Sequence, residues 1–295
     1  MKLSSTTDGA EGGATAGGGR YGTPAGGNGS APRSAGRNAL PRSAFRAWPE
    51  IRARLRAANR WAVFVDFDGT LARLRSRPDD VTVPLGVKRV LQRLARNANI
   101  FIAIVSGRRR QNLRDLIGVE RVHYFGLHGA ERDGEQATVS RESALALESA
   151  KRAVRRELGP FPGIWIEDKG LAFSVHHRDA HAAESQSAGA ALVTLLAPWK
   201  DALHVLDGSR VWEILPKEIP GKHAAVGRVL GGLPAGTSVV YAGDDGTDEP
   251  AFAMLPDQIT IRVGYTRNTR TGAQFCLPSP AYVLRFLTRL ERELR

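Results

Sequence analysis

Cysteine is all but missing from this chain of 295 residues, where Cys276 stands alone. A single thiol excludes any intramolecular disulfide, and a reducing cytoplasm is the natural expectation. Between Phe275 and Leu277 that thiol reads as packing and not as chemistry. Long apolar runs are missing too. None reaches the roughly 18 residues that a membrane-crossing helix needs, and the N-terminus lacks the apolar segment of a secretory signal. No membrane partner is therefore expected. Large apolar side chains are scarce over residues 1–45, a stretch rich in Gly, Ser, Ala and Thr. Such a stretch cannot bury enough surface to offset chain entropy, so a disordered tail is expected there. Its Arg and Ser content suits a targeting extension, while Asp8 and Glu11 argue against one.

Negative charge is in short supply, with 30 Asp and Glu against 42 Lys and Arg for a net +12. That excess invites a nucleic-acid reading. The basic residues are dispersed, however, and Arg152, Arg155 and Arg156 share one side of a predicted helix, the usual solvated face. Positive potential also draws in anionic sugar phosphates. No specific nucleic-acid partner is expected.

What is present is a soluble enzyme's composition, 42% apolar and 24% charged, enough for one or two ordinary domains. The apolar run Ala62-Val63-Phe64-Val65 ends in Asp66-Phe67-Asp68-Gly69-Thr70. Two acids two positions apart then sit at the C-terminal end of a buried strand, where open α/β sheets bind ligands. Past the strand end the chain turns at Gly69, so both can converge on one pocket. Crowded carboxylates repel unless a cation or a proton lies between them. The pattern asks for Mg²⁺, with Asp66 as nucleophile and Asp68 as acid/base; the plain alternative is an Asp-rich turn.

Three further elements follow in order. Ser106, Gly107 and Arg108 come after the apolar run Ile100 to Val105, a strand-to-helix junction that suits a phosphate oxygen. Lys222 opens a helical stretch, where its point charge can reach the same phosphate. Ser238 to Ala242 reads as another buried strand and ends in Gly243-Asp244-Asp245-Gly246-Thr247-Asp248-Glu249. Acid clusters of this kind suit hard cations such as Mg²⁺. Singly, these are a helix cap, a solvated face and an acidic turn; together they describe a phosphotransfer site.

The set resembles the haloacid dehalogenase superfamily of aspartyl-phosphate phosphatases over roughly residues 60 to 290. Gly126-Leu127-His128-Gly129-Ala130-Glu131, Glu167-Asp168-Lys169-Gly170 and Trp212-Glu213-Ile214-Leu215-Pro216 are similar to the trehalose-6-phosphate phosphatase family. Val263-Gly264, Thr271 and Ala273 fit that family near its C-terminus. One departure is His223, where the family usually has Gly after the third-motif lysine, which leaves Lys217 as a rival to Lys222. The resemblance implies an α/β fold: a Rossmann-like parallel core (residues 46–133 and 215–295) with an inserted α+β cap of the C2B type (residues 134–214). It implies hydrolysis of trehalose 6-phosphate through an aspartyl-phosphate, with Asp66, Asp68, Ser106 and Lys222 in the chemistry. Mg²⁺ would be held by the Asp66 carboxylate, the Asp68 carbonyl and Asp244, with Asp245 or Asp248 nearby. Glu167, Lys169 and Glu213 would bind the second glucose, with Arg108, His128, Gly129 and Glu131 contributing from the core side. A trehalose-6-phosphate synthase is the implied pathway partner. The rivals are phosphatases of sucrose phosphate or a glycosyl-phosphoglycerate, a phosphosugar mutase, and a regulator without activity.

Periodicity fills in the elements. Pro84 starts a helix bearing Val87, Val90, Leu91 and Leu94 on one stripe. The cap reads as a helix over 143–158, strands over 164–167 and 171–177, and a helix over 181–196. A hairpin over 203–215 then turns at Asp207-Gly208. In the second of those strands Leu171, Phe173 and Val175 alternate with Ala172 and Ser174, the signature of a half-exposed strand. His177 shares the apolar face and reads as packing. A last helix carries Val283, Leu284, Leu287, Leu290 and Leu294.

Overall fold

A computed structural model describes residues 40–266 and 269–295. In chain order, β1 (Arg42–Ser43) and α1 (Trp48–Arg56) precede the unit β2 (Trp61–Val65), α2 (Leu85–Arg96), β3 (Ile100–Val105), α3 (Arg110–Ile117) and β4 (His123–Phe125). A small hairpin, β5 (Glu131–Arg132) with β6 (Glu135–Gln136), leads to α4 (Arg141–Leu158), β7 (Trp165–Asp168) and β8 (Phe173–His176). Then come α5 (Ala182–Leu196), β9 (Leu203–Gly208) and β10 (Val211–Pro216). The chain closes with α6 (Lys222–Gly232), β11 (Ser238–Gly243), α7 (Glu249–Met254), β12 (Ile259–Val263), β13 (Phe275–Leu277) and α8 (Pro280–Glu293). The expected tail lies outside the described residues as far as residue 39. Beyond it Arg42 and Ser43 already pair with Phe275 and Cys276, and Ala44 is fully buried. The sheet thus begins inside the stretch read as tail, because a two-residue strand shows no period in a sequence.

Seven parallel strands form the main sheet in the order β1-β13-β12-β11-β2-β3-β4. Strand β2 shows why. Its alternate residues enter two separate cores: Val63 and Val65 pack with α1, α2, α3 and α8, while Ala62 and Phe64 pack with α6 and α7. A strand covered on both faces must be apolar throughout, as this one is. From β2 the chain moves outward through β3 and β4, and later in the opposite direction through β11, β12 and β13. The crevice beyond β2 and β11 is therefore the topological switch point of the sheet.

Four antiparallel strands form a second sheet in the order β7-β8-β10-β9. Helices α4 and α5 cover one face, burying Leu147, Val154, Leu192 and Leu196 against Phe173, Val175 and Ile214. Helix α4 starts at Ser140, whose hydroxyl accepts the Ser143 amide at 3.0 Å. The pairing register sets Glu167, Ser174 and Glu213 in one row across the other face, with Trp165, His176 and Val211 in a neighbouring row. An apolar seam of Leu127, Ala130, Ala172, Leu215 and Ile219 joins the two sheets' elements. The hairpin differs from its sequence reading: Gly208 pairs with Val211, so the turn is Ser209-Arg210, with Arg210 at φ 63°. Gly208 has another use, for a Cβ there would lie 3.0 Å from Asp245 Oδ2. Among the described residues no helix is long and apolar enough to cross a membrane.

Candidate active site

Asp66 leaves the end of β2 and its amide still bonds to Ala242 of β11 at 2.9 Å, so both strands aim their following residues at one point. Lys222, at the first turn of α6, reaches that point from the side. Its Nζ lies 2.8 Å from Asp66 Oδ1 and 2.9 Å from Asp248 Oδ1, with all three groups buried. Lys217, the sequence rival, is exposed and takes no part. Gly69 turns at φ 78°, and a Cβ there would sit 2.0 Å from Asp244 Oδ2. Only a glycine lets the two acidic loops close on each other. Asp66, Asp244 and Asp248 then bring carboxylate oxygens within 4.8 Å of one another.

The oxygens of these acids are not equally free. A carboxylate offers about four lone-pair positions. In Asp248 they are taken by Lys222, the Tyr241 hydroxyl at 2.8 Å and the amides of Asp244 and Asp245 at 3.0 and 3.2 Å. Asp245 accepts from the Thr247 amide and hydroxyl at 2.9 and 2.6 Å and from the Ser209 amide at 3.0 Å. That last bond ties the β9–β10 turn of the second sheet to the core. Asp66 and Asp244 keep free oxygens, since Asp244 accepts only a long bond from Thr70 at 3.3 Å.

Electrostatics follow from this crowding. Burial pushes the Asp66 carboxyl up to about 7, with Lys222 opposing and Asp248 and Asp245 adding repulsion. Burial, then the charges of Asp245 and Asp66, raises Asp244 well above the usual carboxylate range. Burial also raises Asp248, against the pull of Lys222. Asp245 goes the other way: burial opposes, but Lys222 and the Thr247 and Ser209 bonds hold it low. Burial would lower Lys222, yet Asp248 and Asp66 hold it well above its ordinary value. Four acids share one lysine here, a set of hard oxygen donors with excess negative charge that fits Mg²⁺.

A cleft of about 250 Å³ opens from this point, lined by Asp66, Asp68, Ser106, Arg108, Lys222 and Asp245 on one side. Glu167, Lys169, His176, Arg178 and Glu213 line it from the second sheet. Ser106 is buried at the end of β3 and its hydroxyl accepts the Arg108 amide at 3.2 Å. Asp68 is gripped by Arg108 at 2.6 and 2.9 Å. Lys169 donates to both oxygens of Glu213 at 2.9 and 3.1 Å and to the Gly107 carbonyl, across the cleft, at 3.0 Å. Ser174 donates to Glu213 at 2.7 Å, and His176 meets Glu167 at 2.9 Å while stacking on Trp165. For Glu213 and Glu167 burial works upward, but Lys169 in the first and His176 in the second turn the net shift downward. His128 is buried with both ring nitrogens lacking a hydrogen-bond partner among the described residues. Burial pulls it down to about 4, so it is neutral at ordinary pH.

Two of the residues expected to bind substrate stand apart from the cleft lining. Glu131 accepts the Arg110 amide at 2.6 Å at the start of α3, and Gly129 packs on Ala225 of α6. Others line the cleft without having been singled out: Arg75, Asn112, His176, Arg178, Ser209 and Thr247. Only His176 had a usable signal, since it follows Ser174 at strand period on the polar face. His177 lies off that face, bonded to Ser185 at 2.7 Å and stacked on Trp212 at 3.9 Å.

The family model described as trehalose-phosphatase matches residues 64–275. The chain belongs to the trehalose-phosphatase family. The trehalose-phosphate phosphatase of Mycobacterium tuberculosis H37Rv is 37% identical over 246 residues, covering 79% of this chain and 62% of the relative. That of Mycobacterium leprae is 34% identical over 252 residues, covering 79% and 58%. The chain thus spans about three fifths of the length of these curated relatives. Among solved structures, the C-terminal domain of Candida albicans trehalose-6-phosphate phosphatase aligns with TM-score 0.73 at 22% identity, over 86% of this chain and 99% of that one. The sucrose-phosphatase of Synechocystis aligns with TM-score 0.51 at 14% identity, over 79% and 98%. These likenesses establish the fold, an α/β parallel core of the haloacid dehalogenase type with an α+β insertion, as the resemblance implied.

Proposed function

We propose that this chain hydrolyses trehalose 6-phosphate to trehalose and phosphate through an aspartyl-phosphate on Asp66. The observation that carries the reading is the buried Asp66–Lys222–Asp248 triad at the sheet's switch point, facing the Glu167–Lys169–Glu213 row across one cleft. Family membership supports the substrate. Asp66 attacks phosphorus as the bond to the sugar oxygen breaks, and Asp68 gives that oxygen a proton. Water then attacks the phosphoryl group, Asp66 departs as a carboxylate, and Asp68 takes the water's proton. Lys222 and Ser106 oppose the charge that builds on the phosphoryl oxygens. The free oxygens of Asp66 and Asp244 would hold Mg²⁺, with Asp248 behind them holding Lys222 and the Asp244 amide. When bound it neutralises phosphoryl charge.

Residues 134–214 act in this reading as a cap over a core of residues 42–133 and 215–295, the sheet starting at β1. Lys169 and Glu213 face the sugar and His128 offers one donor and one acceptor to a hydroxyl. The deciding experiment is phosphate release from trehalose 6-phosphate beside glucose 6-phosphate, sucrose 6-phosphate and a glycosyl-phosphoglycerate, with and without Mg²⁺. Preference for the trehalose ester, with no activating bisphosphate, supports the reading. Equal turnover of all four would reduce it to a general sugar phosphatase.

A further inference from the structure

Arg108 ends the Ser106-Gly107-Arg108 junction after β3, and only 8% of its side chain is exposed. Nε donates to Asp68 Oδ2 at 2.6 Å and Nη2 to Asp68 Oδ1 at 2.9 Å, so both oxygens of one carboxylate are held by one planar group. Nη2 also donates to the Pro78 carbonyl at 3.1 Å, and Nη1 to Asn112 Oδ1 at 2.8 Å. The guanidinium carbon lies 5.2 Å from the centroid of the Phe67 ring. Four of the five N–H groups of a guanidinium are therefore directed at the protein. Little is left for a sugar hydroxyl, the part the family resemblance implies for this residue. The grip takes one lone-pair position on each Asp68 oxygen and leaves the others on a side chain that is 31% exposed and lines the cleft.

We propose that Arg108 is a positioning residue that holds the Asp68 carboxylate aimed for the half of the reaction that clears the enzyme. In that half a water oxygen bonds to the phosphorus of phosphoryl-Asp66 and the bond from phosphorus to the Asp66 oxygen breaks. Asp66 leaves as a carboxylate, one water proton passes to Asp68, and the other stays on the released phosphate. A two-pronged guanidinium favours the proton-accepting carboxylate and a single orientation of it. An ammonium group cannot reproduce that fork. The proposal rests on the reading of Asp68 as acid/base given above.

p-Nitrophenyl phosphate separates the two halves, because nitrophenolate leaves without a proton and the first half then needs nothing from Asp68. Rapid-mixing records of nitrophenol release, paired with the intact mass of acid-quenched enzyme, are taken for wild type, Arg108→Lys, Arg108→Met and Asp68→Asn. Expected for both Arg108 variants is a first phase within about threefold of wild type and a steady state slower by about tenfold or more, with phosphoryl-enzyme accumulating. Asn112→Ala, which removes one anchor of the guanidinium, should shift the same ratio by a smaller factor and covers the case in which an Arg108 variant fails to fold. Equal loss in both phases would assign Arg108 to phosphate binding or to the fold and overturn the proposal. Unchanged phases, with loss confined to trehalose 6-phosphate, would overturn it in favour of sugar recognition. If Asp68→Asn also leaves the second phase unchanged, the acid/base reading of Asp68 is what fails.

Discussion

The carboxylates at the ends of β2 and β11 outnumber the cations beside them, whereas each acid on the cleft face of the second sheet has a partner. Asp66, Asp244, Asp245 and Asp248 share Lys222. Glu213 has Lys169 and Ser174, and Glu167 has His176. The pKa directions record the contrast: Asp66, Asp244 and Asp248 are pushed up, and Glu213 and Glu167 are pulled down. Asp245 alone of the four is held low, by Lys222 and its bonds to Thr247 and Ser209. The first cluster would be stabilised by an added positive charge. The second is already satisfied, so under the proposed function a sugar would have to exchange for bonds that exist, making its affinity a difference and its choice of ligand sharp.

The largest effect should come from Asp66→Asn, which keeps the shape and the bond to Lys222 but removes the attacking anion. Turnover of every phosphate ester should fall by about a thousandfold or more, with the fold intact by circular dichroism. Retention of a tenth of wild-type rate would break the comparison at its centre.

Next in size is the response to cations and pH. Chelator should abolish turnover and Mg²⁺ restore it, with Asp244→Ala raising the Mg²⁺ required. Asp66 binds its proton up to about pH 7 in the folded chain against an ordinary 3.8. In that window the folded state holds the extra proton, so this group's stability contribution is lost as pH rises. His128, low at about 4, contributes with the opposite sign up to its ordinary 6.5. The diagnostic is thus the difference: in chelator, Asp66→Asn should gain thermal stability relative to wild type between pH 4 and 7. A relative loss over that range would mean that the cluster is not short of positive charge.

Smaller and more selective effects belong to the second sheet. Lys169→Ala and Glu213→Ala should each lower kcat/KM for trehalose 6-phosphate by about ten- to a hundredfold, since a buried polar partner is left unpaired. p-Nitrophenyl phosphate, too small to reach that face, should change by about threefold at most. Proportional loss of both substrates would make Lys169, which bridges to the Gly107 carbonyl, a structural strut between the sheets. The smallest effect is expected for Asp245→Ala. Losing its bonds to Thr247 and Ser209 should cost about 1–2 kcal/mol in urea unfolding, with turnover of the small ester lowered only a few-fold.

The sequence by itself determined the strands that carry the acids, the order of the motifs and the alternation that makes one face of β8 polar. Each of these depends on neighbours in the chain: unbroken apolar runs for strands buried on both faces, period two for a strand whose faces differ. Strand β8 is nevertheless buried from Phe173 to Val175 and not half-exposed as its alternation suggested, because the core elements cover its polar face. It also singled out Asp66, Asp68, Ser106 and Lys222, which the fold brings to one cleft, because residues at strand ends leave local patterns. Tertiary structure alone decided which oxygens are free. Asp245 and Asp248 look like equal candidates in Gly243–Glu249, yet Tyr241, Lys222, Ser209 and two amides occupy them. Arg108, expected at the sugar, also carries bonds to Asp68, Pro78 and Asn112 that no spacing in the sequence announces. Glu131, expected there too, accepts an amide at the start of α3. The β9–β10 turn moved by two residues because Gly208 answers to Asp245, 37 positions away in the numbering, and not to its neighbours. A hydrogen-bond partner brought in from a distant segment leaves no period and no spacing to read, and only the packed sheets bring such partners together.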